Sequence, residues 1–421
     1  MTIIKENRRA VIFIFITVLL DTISLGIILP VTPGLIMQLG GVDLSRAAEY
    51  GGWLWFLYAF TQFFCAPLLG GLSDRYGRRP VLLFALAAFG IDYLIMGFAP
   101  ALSWLFVGRA IAGIAGASYV PAYAYLADIT PPEKRAQNFG LIGAAFGAGF
   151  VLGPALGGLL AHFGTRTPFF AASAAALLNL CFGYFTLPET LAPESRRAFE
   201  WKRANPLGTL LQMRKYPSVL GMAAALLIWQ IGHQVFPSTW SFYTMLKFGW
   251  TPTMVGGSLA FVGVIMAIGQ GYLPRVLVPA LGGERKVVLL GFAVAAVSFT
   301  AYAFATRGWM MYAIMLTWMF SAPVYACVNA LMSRQVPASA QGELQGGVGS
   351  LGSLSAIIGP ILMTQLFGHF SNVNATPYFP GIAFFAAALL TLASFVVFSR
   401  SAPSAAAPAS ESTENNKGLS S

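Results

Sequence analysis

The chain alternates long apolar runs with short charged turns. A helix needs about 20 mainly apolar residues to cross a bilayer, and on that measure the pattern predicts twelve spans. Six lie near residues 10–33, 51–72, 80–99, 101–126, 136–162 and 168–187. Six more lie near 216–238, 253–273, 287–305, 309–332, 342–367 and 378–398. Glycine and proline inside several of them are tolerated, because neighbouring helices satisfy the freed backbone groups. The opening run, Ala10 to Leu20 behind Lys5, Arg8 and Arg9, has the flanks of a signal peptide. No small-residue cleavage site follows and the run continues through Asp21 to Pro30, so it reads as an uncleaved first span.

Composition changes the picture in one respect. Hydrophobic residues make up 57% of the chain and charged ones 10%, against about 25% charged in a soluble domain. The net charge of +10 does not point to nucleic acid, because the basic residues sit in short turns and form no face on a soluble module. Their distribution sets orientation. Arg46, Arg166, Lys247 and Arg307 fall on one side, and the other lysines and arginines outside the spans fall on the opposite side. That bias places both termini and the long loop between the halves in the cytoplasm.

The sequence also repeats. Gly77-Arg78-Arg79-Pro80 recurs as Gly283-Glu284-Arg285-Lys286, 206 residues later, and Gly153-Pro154 recurs as Gly359-Pro360 at the same offset. Gly140 and Gly143 map onto Gly346 and Gly349 in the same way. One shift fitting separated blocks argues for a duplicated set of six spans. The expected division is an N-terminal six-helix bundle over 1–187, a linker over 188–215, a C-terminal bundle over 216–400 and a disordered tail over 401–421.

Chemistry concentrates in three places. The turn after the second span carries Gly71, Asp74, Arg75, Gly77, Arg78 and Arg79 in the order G-x-x-D-R-x-G-R-R. Charge bias alone does not require an acid and glycines at set spacing. The fifth span carries Gly149, Gly153, Pro154, Gly157 and Gly158. Glycines four apart make a face on which another helix can lie close, and Pro154 removes a helix hydrogen bond. Within the spans the ionisable residues are Asp21, Asp92 and Arg109. A charge at mid-bilayer costs about 2.5–3.5 kcal/mol on insertion scales, so each is expected to line a cavity or hold a partner. Asp21 is the first candidate proton acceptor, with Arg109 as its expected partner, and Asp92 ranks below it. A purely structural Asp–Arg pair is the competing reading.

The turn resembles the loop between the second and third helices of major facilitator superfamily transporters, and the fifth span resembles the antiporter motif of that superfamily's drug exporters. The resemblance implies an all-α membrane protein of 12 transmembrane helices in two six-helix bundles. A narrower likeness runs from Asp21 to about residue 367. It is carried by Ser333-Arg334-Gln335-Val336, Gln341-Gly342-Glu343-Leu344-Gln345-Gly346, Ala303-Phe304-Ala305-Thr306-Arg307-Gly308-Trp309 and Tyr125-Leu126-Ala127-Asp128. These resemble the Tet-type tetracycline–proton antiporters. The resemblance implies efflux of a tetracycline-like drug, as a divalent-cation chelate, against entry of a proton, with no bound cofactor.

The chain departs from the Tet-type pattern at Ile265-Met266, where that pattern has a histidine, and at Ala293-Val294-Ala295, where it has an acid. His233 is then the titratable candidate in the second half, set against a hydrogen-bonded core histidine. Gln230, Gln234 and Asn329 are candidate neutral cavity contacts. Asp74 is expected to dock on the start of the eleventh span, near Gln341-Gly342-Glu343, when the protein faces outward, and Arg78 to bridge to Asp128. An ATP-driven pump is excluded by the lack of a phosphate-binding loop, and His162, His233 and His369 are too scattered for a membrane enzyme site. The three cysteines stand alone in apolar segments, so no disulfide or metal is expected. A facilitated importer shares the expected fold and remains the alternative.

Overall fold

The computed structural model describes residues 2–116, 119–130, 135–197 and 216–402. Every regular element among these residues is helical. The first half comprises α1 (Thr2–Ile28), α2 (Thr32–Gly40), α3 (Leu44–Tyr76), α4 (Arg78–Phe98), α5 (Leu102–Gly116), α6 (Tyr119–Ile129), α7 (Arg135–Leu160) and α8 (Thr167–Thr186). The second half comprises α9 (Pro217–His233), α10 (Val235–Phe248), α11 (Pro252–Leu281), α12 (Glu284–Phe304), α13 (Gly308–Trp318), α14 (Val324–Ser333), α15 (Gln341–Ser371) and α16 (Ile382–Ser401). Eleven helical stretches among the described residues are long and apolar enough to cross a membrane, and the fourth expected span is covered by α5 and α6. Most of the linker, 198–215, and the tail from 403 lie outside the described residues.

Several boundaries differ from the apolar pattern, each for a local reason. The first span ends at Ile28, and Pro30 precedes a separate short helix, α2, which Pro33 starts and the left-handed Gly41 ends. The second span lengthens to 33 residues, about 50 Å at 1.5 Å per residue. Asp43 caps it well before the apolar run begins, accepting from the Arg46 amide at 2.8 Å. The seventh span breaks at His233–Gln234 and resumes as α10, and the tenth breaks over Met319–Ser321 ahead of Pro323.

The fifth-span glycines serve two interfaces. Gly149, Gly153 and Gly157 face α1, where a Cβ on Gly157 would lie 2.0 Å from the Ile27 carbonyl oxygen and one on Gly153 2.6 Å from that of Ile23. Pro154 and Gly158 face α11 of the other half, where a Cβ on Gly256 would lie 2.2 Å from the Pro154 carbonyl oxygen. The second half repeats the arrangement: Gly359 packs on Ile231 and Gln234, while Thr364 reaches Gly52 on α3. Each of α7 and α15 thus lies between a helix of its own half and one of the other half.

Among the described residues, the hydrogen bonds between the halves lie at the end opposite the Arg75–Arg79 turn. Ser371 donates to Ser45 at 2.8 Å, Gln365 to the Glu49 carbonyl at 3.3 Å, Ser241 to the Leu29 carbonyl at 3.1 Å and Thr253 to the Gly158 carbonyl at 2.8 Å. Because Thr253 has one proton and gives it to Gly158, the His162 ring 3.0 Å away must be the donor in their contact. At the basic end, Gly140, Gly143 and Gly147 of α7 and Gly342 and Gly349 of α15 have nothing within 4 Å of where a Cβ would sit. Among the described residues, the halves are closed at the far end and open at these glycines toward the basic end.

Candidate transport site

Asp92 on α4 and Arg109 on α5 form a buried ion pair, with Arg109 donating to Asp92 Oδ2. Their relative exposures are 0% and 7%. The approach depends on Gly108, where a Cβ would lie 2.5 Å from Asp92 Oδ1. The Arg109 guanidinium also sits 5.8 Å from the Tyr58 ring centroid and 6.0 Å from that of Tyr93, within cation–π range. Neither Asp92 Oδ1 nor Arg109 Nε has a hydrogen-bond partner among the described residues.

Arg109 borders a cavity between the two halves. The first half supplies Thr32, Gly51, Tyr58 and Met96 to its wall, and the second supplies Pro237, Ser238, Ser241 and Phe242. The cavity's far end is sealed by the contacts between halves described above, including Gly51 packed under the Phe242 ring.

Asp21 is not the partner of Arg109, contrary to the expected pairing. It borders a smaller cavity inside the first half, with Thr17 beside it on α1 and Leu82, Leu86 and Ala122 opposite. Thr17 is held by Asn179 at 3.3 Å. Asp21 takes no hydrogen bond or ion pair among the described residues. The reason is one of geometry: glycine at 108 clears the space facing Asp92, while Asp21 projects toward Leu82 and Leu86 of α4.

The charged turn is built as a knot of its own half. Gly77 adopts φ +108°, a conformation side chains rarely take, and so separates α3 from α4. Arg78 bridges Asp74 at 2.6 Å and Asp128, at the end of α6, at 3.4 Å. Arg79 donates to the Tyr184 carbonyl at 2.7 Å, near the C-terminus of α8, where a cation is favoured. Arg75 lies over the Tyr76 ring, and Gly71 sits one turn before Asp74. Glu189, just past the last span of the first half, completes the knot and does not stand out in the sequence by any motif. Its carboxylate accepts from the Arg78 amide at 2.9 Å and the Arg79 amide at 3.2 Å. Its place directly after that span, facing a turn of three arginines, is the signal. Among the described residues the side-chain partner of Asp74 is Arg78 of its own turn, and the expected docking on the start of α15 is not seen.

The second-half candidates are separated from the cavity. His233 stacks among Trp229, Phe236, Phe299 and Trp318, and neither ring nitrogen has a partner among the described residues. It is therefore not the hydrogen-bonded core histidine set against the functional reading. Gln230 accepts from Ser355 at 3.3 Å, and Asn329 exchanges amide hydrogen bonds with Gln345 at 3.1 and 3.3 Å. Gln234 lies at the break between α9 and α10 and packs under Gly359. Because the chain turns at that break, the second half's cavity wall comes from the following turns, Pro237 to Phe242, which the sequence did not single out.

Comparison with known proteins agrees with this architecture. A sequence profile described as Major Facilitator Superfamily matches residues 14–282 and 280–420. The tetracycline resistance protein of class C from Escherichia coli is 39% identical over 92% of this chain and 97% of its own. The class G protein from Vibrio anguillarum is 37% identical over 86% of this chain and 91% of its own. Among solved structures, a D-xylose–proton symporter superposes with a TM-score of 0.72 over 94% of this chain and 98% of its own, at 17% identity. This chain belongs to the major facilitator superfamily and, within it, to the family of the tetracycline resistance proteins.

Proposed function

We propose that the protein exports a tetracycline-like drug across the bacterial inner membrane in exchange for a proton, by alternating access. The observation that carries the reading is the buried Asp92–Arg109 pair on the wall of a cavity shared by the two halves. In this reading the basic end and both termini face the cytoplasm, so the conformation described is the one that loads drug. Arg109 is held by Asp92 while Asp92 is charged. Proton entry onto Asp92 removes the attraction and frees Arg109 to rearrange between Tyr58 and Tyr93. Asp21 exchanges a proton without breaking an ion pair, from its own cavity inside the first half. Drug, carried as a cation chelate, leaves the cavity when the far end opens. In that second state Asp74 docks on the start of α15, and the Arg78–Asp128 bridge keeps the turn attached to its half.

The test is uptake into everted vesicles under an imposed pH gradient, with lumenal pH followed at the same time. Asp21→Asn and Asp92→Asn are each expected to abolish gradient-driven uptake while leaving drug–drug exchange, which needs no proton. Gradient-driven uptake that survives both substitutions would overturn the coupling assignment. Export of a different drug is a second reading, favoured by the neutral second-half wall and by Met266 where the Tet-type pattern has histidine. Susceptibility testing in a pump-deficient host separates the two: protection against tetracyclines supports the first reading, and protection against another drug alone supports the second.

A further inference from the structure

The 206-residue repeat extends to an ion pair that the gate assignment does not include. Gly283 takes φ +133°, matching the unusual conformation of Gly77, and it too separates two spanning helices. The next residue is Arg78 in the first half and Glu284 in the second. Arg78 bridges to Asp128 at the end of α6, and the residue 206 positions beyond Asp128 is Arg334, at the end of α14. Arg334 is bonded to both carboxylate oxygens of Glu284, one of them at 3.3 Å. The same turn-to-helix bridge is thus made in both halves with its charges exchanged. The following residue repeats as well: Arg285 donates to the Ser399 carbonyl at 3.0 Å near the end of α16, as Arg79 does to Tyr184 near the end of α8.

We propose that Glu284 and Arg334 are positioning residues for transport, a second brace that fixes the Gly283 turn to α14 so that the second half swings as one piece. The inference rests on the alternating-access reading. The inverted polarity has a consequence specific to this chain. Arg78 also serves Asp74 one turn earlier, whereas the position 206 residues beyond Asp74 is Ala280. The second-half brace therefore has no counterpart of Asp74 and works in either polarity. The first-half brace does not, because a carboxylate at 78 would face Asp74.

The experiment reads how fast a cysteine placed at Gly342, in the open basic end, reacts with an impermeant maleimide in vesicles, alongside turnover and KM for tetracycline. A half-exposed ion pair contributes up to about 1 kcal/mol, which corresponds to roughly two- to five-fold. Glu284→Gln and Arg334→Gln are each expected to label faster by that factor and to lower turnover with KM unchanged. E284R with R334E is expected to restore wild-type labelling, while R78E with D128R is not. Single variants that label like wild type, or a second-half swap no better than the singles at equal expression, would overturn the brace. Labelling is independent of which drug is carried. A wild type that fails to move tetracycline therefore counts against the proposed substrate and leaves this result to stand or fall separately.

Discussion

Gly108 decides how close Asp92 comes to α5. With hydrogen as its side chain, the carboxylate lies against the helix that carries Arg109, and a methyl group would sit 2.5 Å from Oδ1. Gly108→Ala should therefore leave both charges in the protein while separating them. Breaking the geometry of a buried pair is costly because each charge stays out of water, and 1.4 kcal/mol is already a factor of ten. Gradient-driven uptake is expected to fall about ten-fold or more, with drug–drug exchange retained. Arg109→Lys should do the same, since a point charge replaces a planar group set between two tyrosine rings. None of this was legible in the sequence. Asp21, Asp92 and Arg109 stand out there because charge is rare in apolar runs, but two acids and one base do not say which pair meets. A glycine without a side chain settled the pairing, and glycines are too common in this chain to single that one out.

At the scale of an element, the glycines of α7 divide between two neighbours according to helical phase. Those at 149, 153 and 157 follow the four-residue period and lie on α1, and Gly158, one position on, turns to α11. The close approach to α1 was readable from spacing alone, whereas the second contact was not, because one residue's shift around the helix moves it to another partner. Gly157→Ala is expected to push α7 from the Ile27 carbonyl and to destabilise the protein by about 1–3 kcal/mol, the usual range for overpacking. Thermal unfolding in detergent measures this. Gly140→Ala, whose methyl group meets nothing within 4 Å, serves as the control and should be nearly neutral. Boundaries show the same division. Apolar run length found the spans, but the Asp43 cap and the breaks at His233–Gln234 and Met319–Ser321 set where helices start, stop and turn.

For the whole molecule, the far-end seal is held by small residues that let α3 and α15 touch. A side chain at Gly52 would bring its Cβ to 1.9 Å from Thr364 Oγ1, so Gly52→Val should favour the state open at that end. A cysteine at Ser371, buried against Ser45, is expected to react faster with an impermeant maleimide in the Gly52→Val background. Adding Thr364→Gly should slow it again. Unchanged reactivity in Gly52→Val would show that α3 and α15 do not control that end.

The amino-acid order by itself determined twelve apolar spans, the duplication of six, the charged turn and the family. These depend on composition and period along one chain, which a bilayer reads directly through hydropathy and charge. Only the tertiary structure decided that Arg109 belongs to Asp92, that the cavity's second wall begins at Pro237, and that Glu284 meets Arg334. Each of those joins residues on different helices. Their meeting depends on the rotation of one helix against another, which apolar spacing leaves open and close packing fixes.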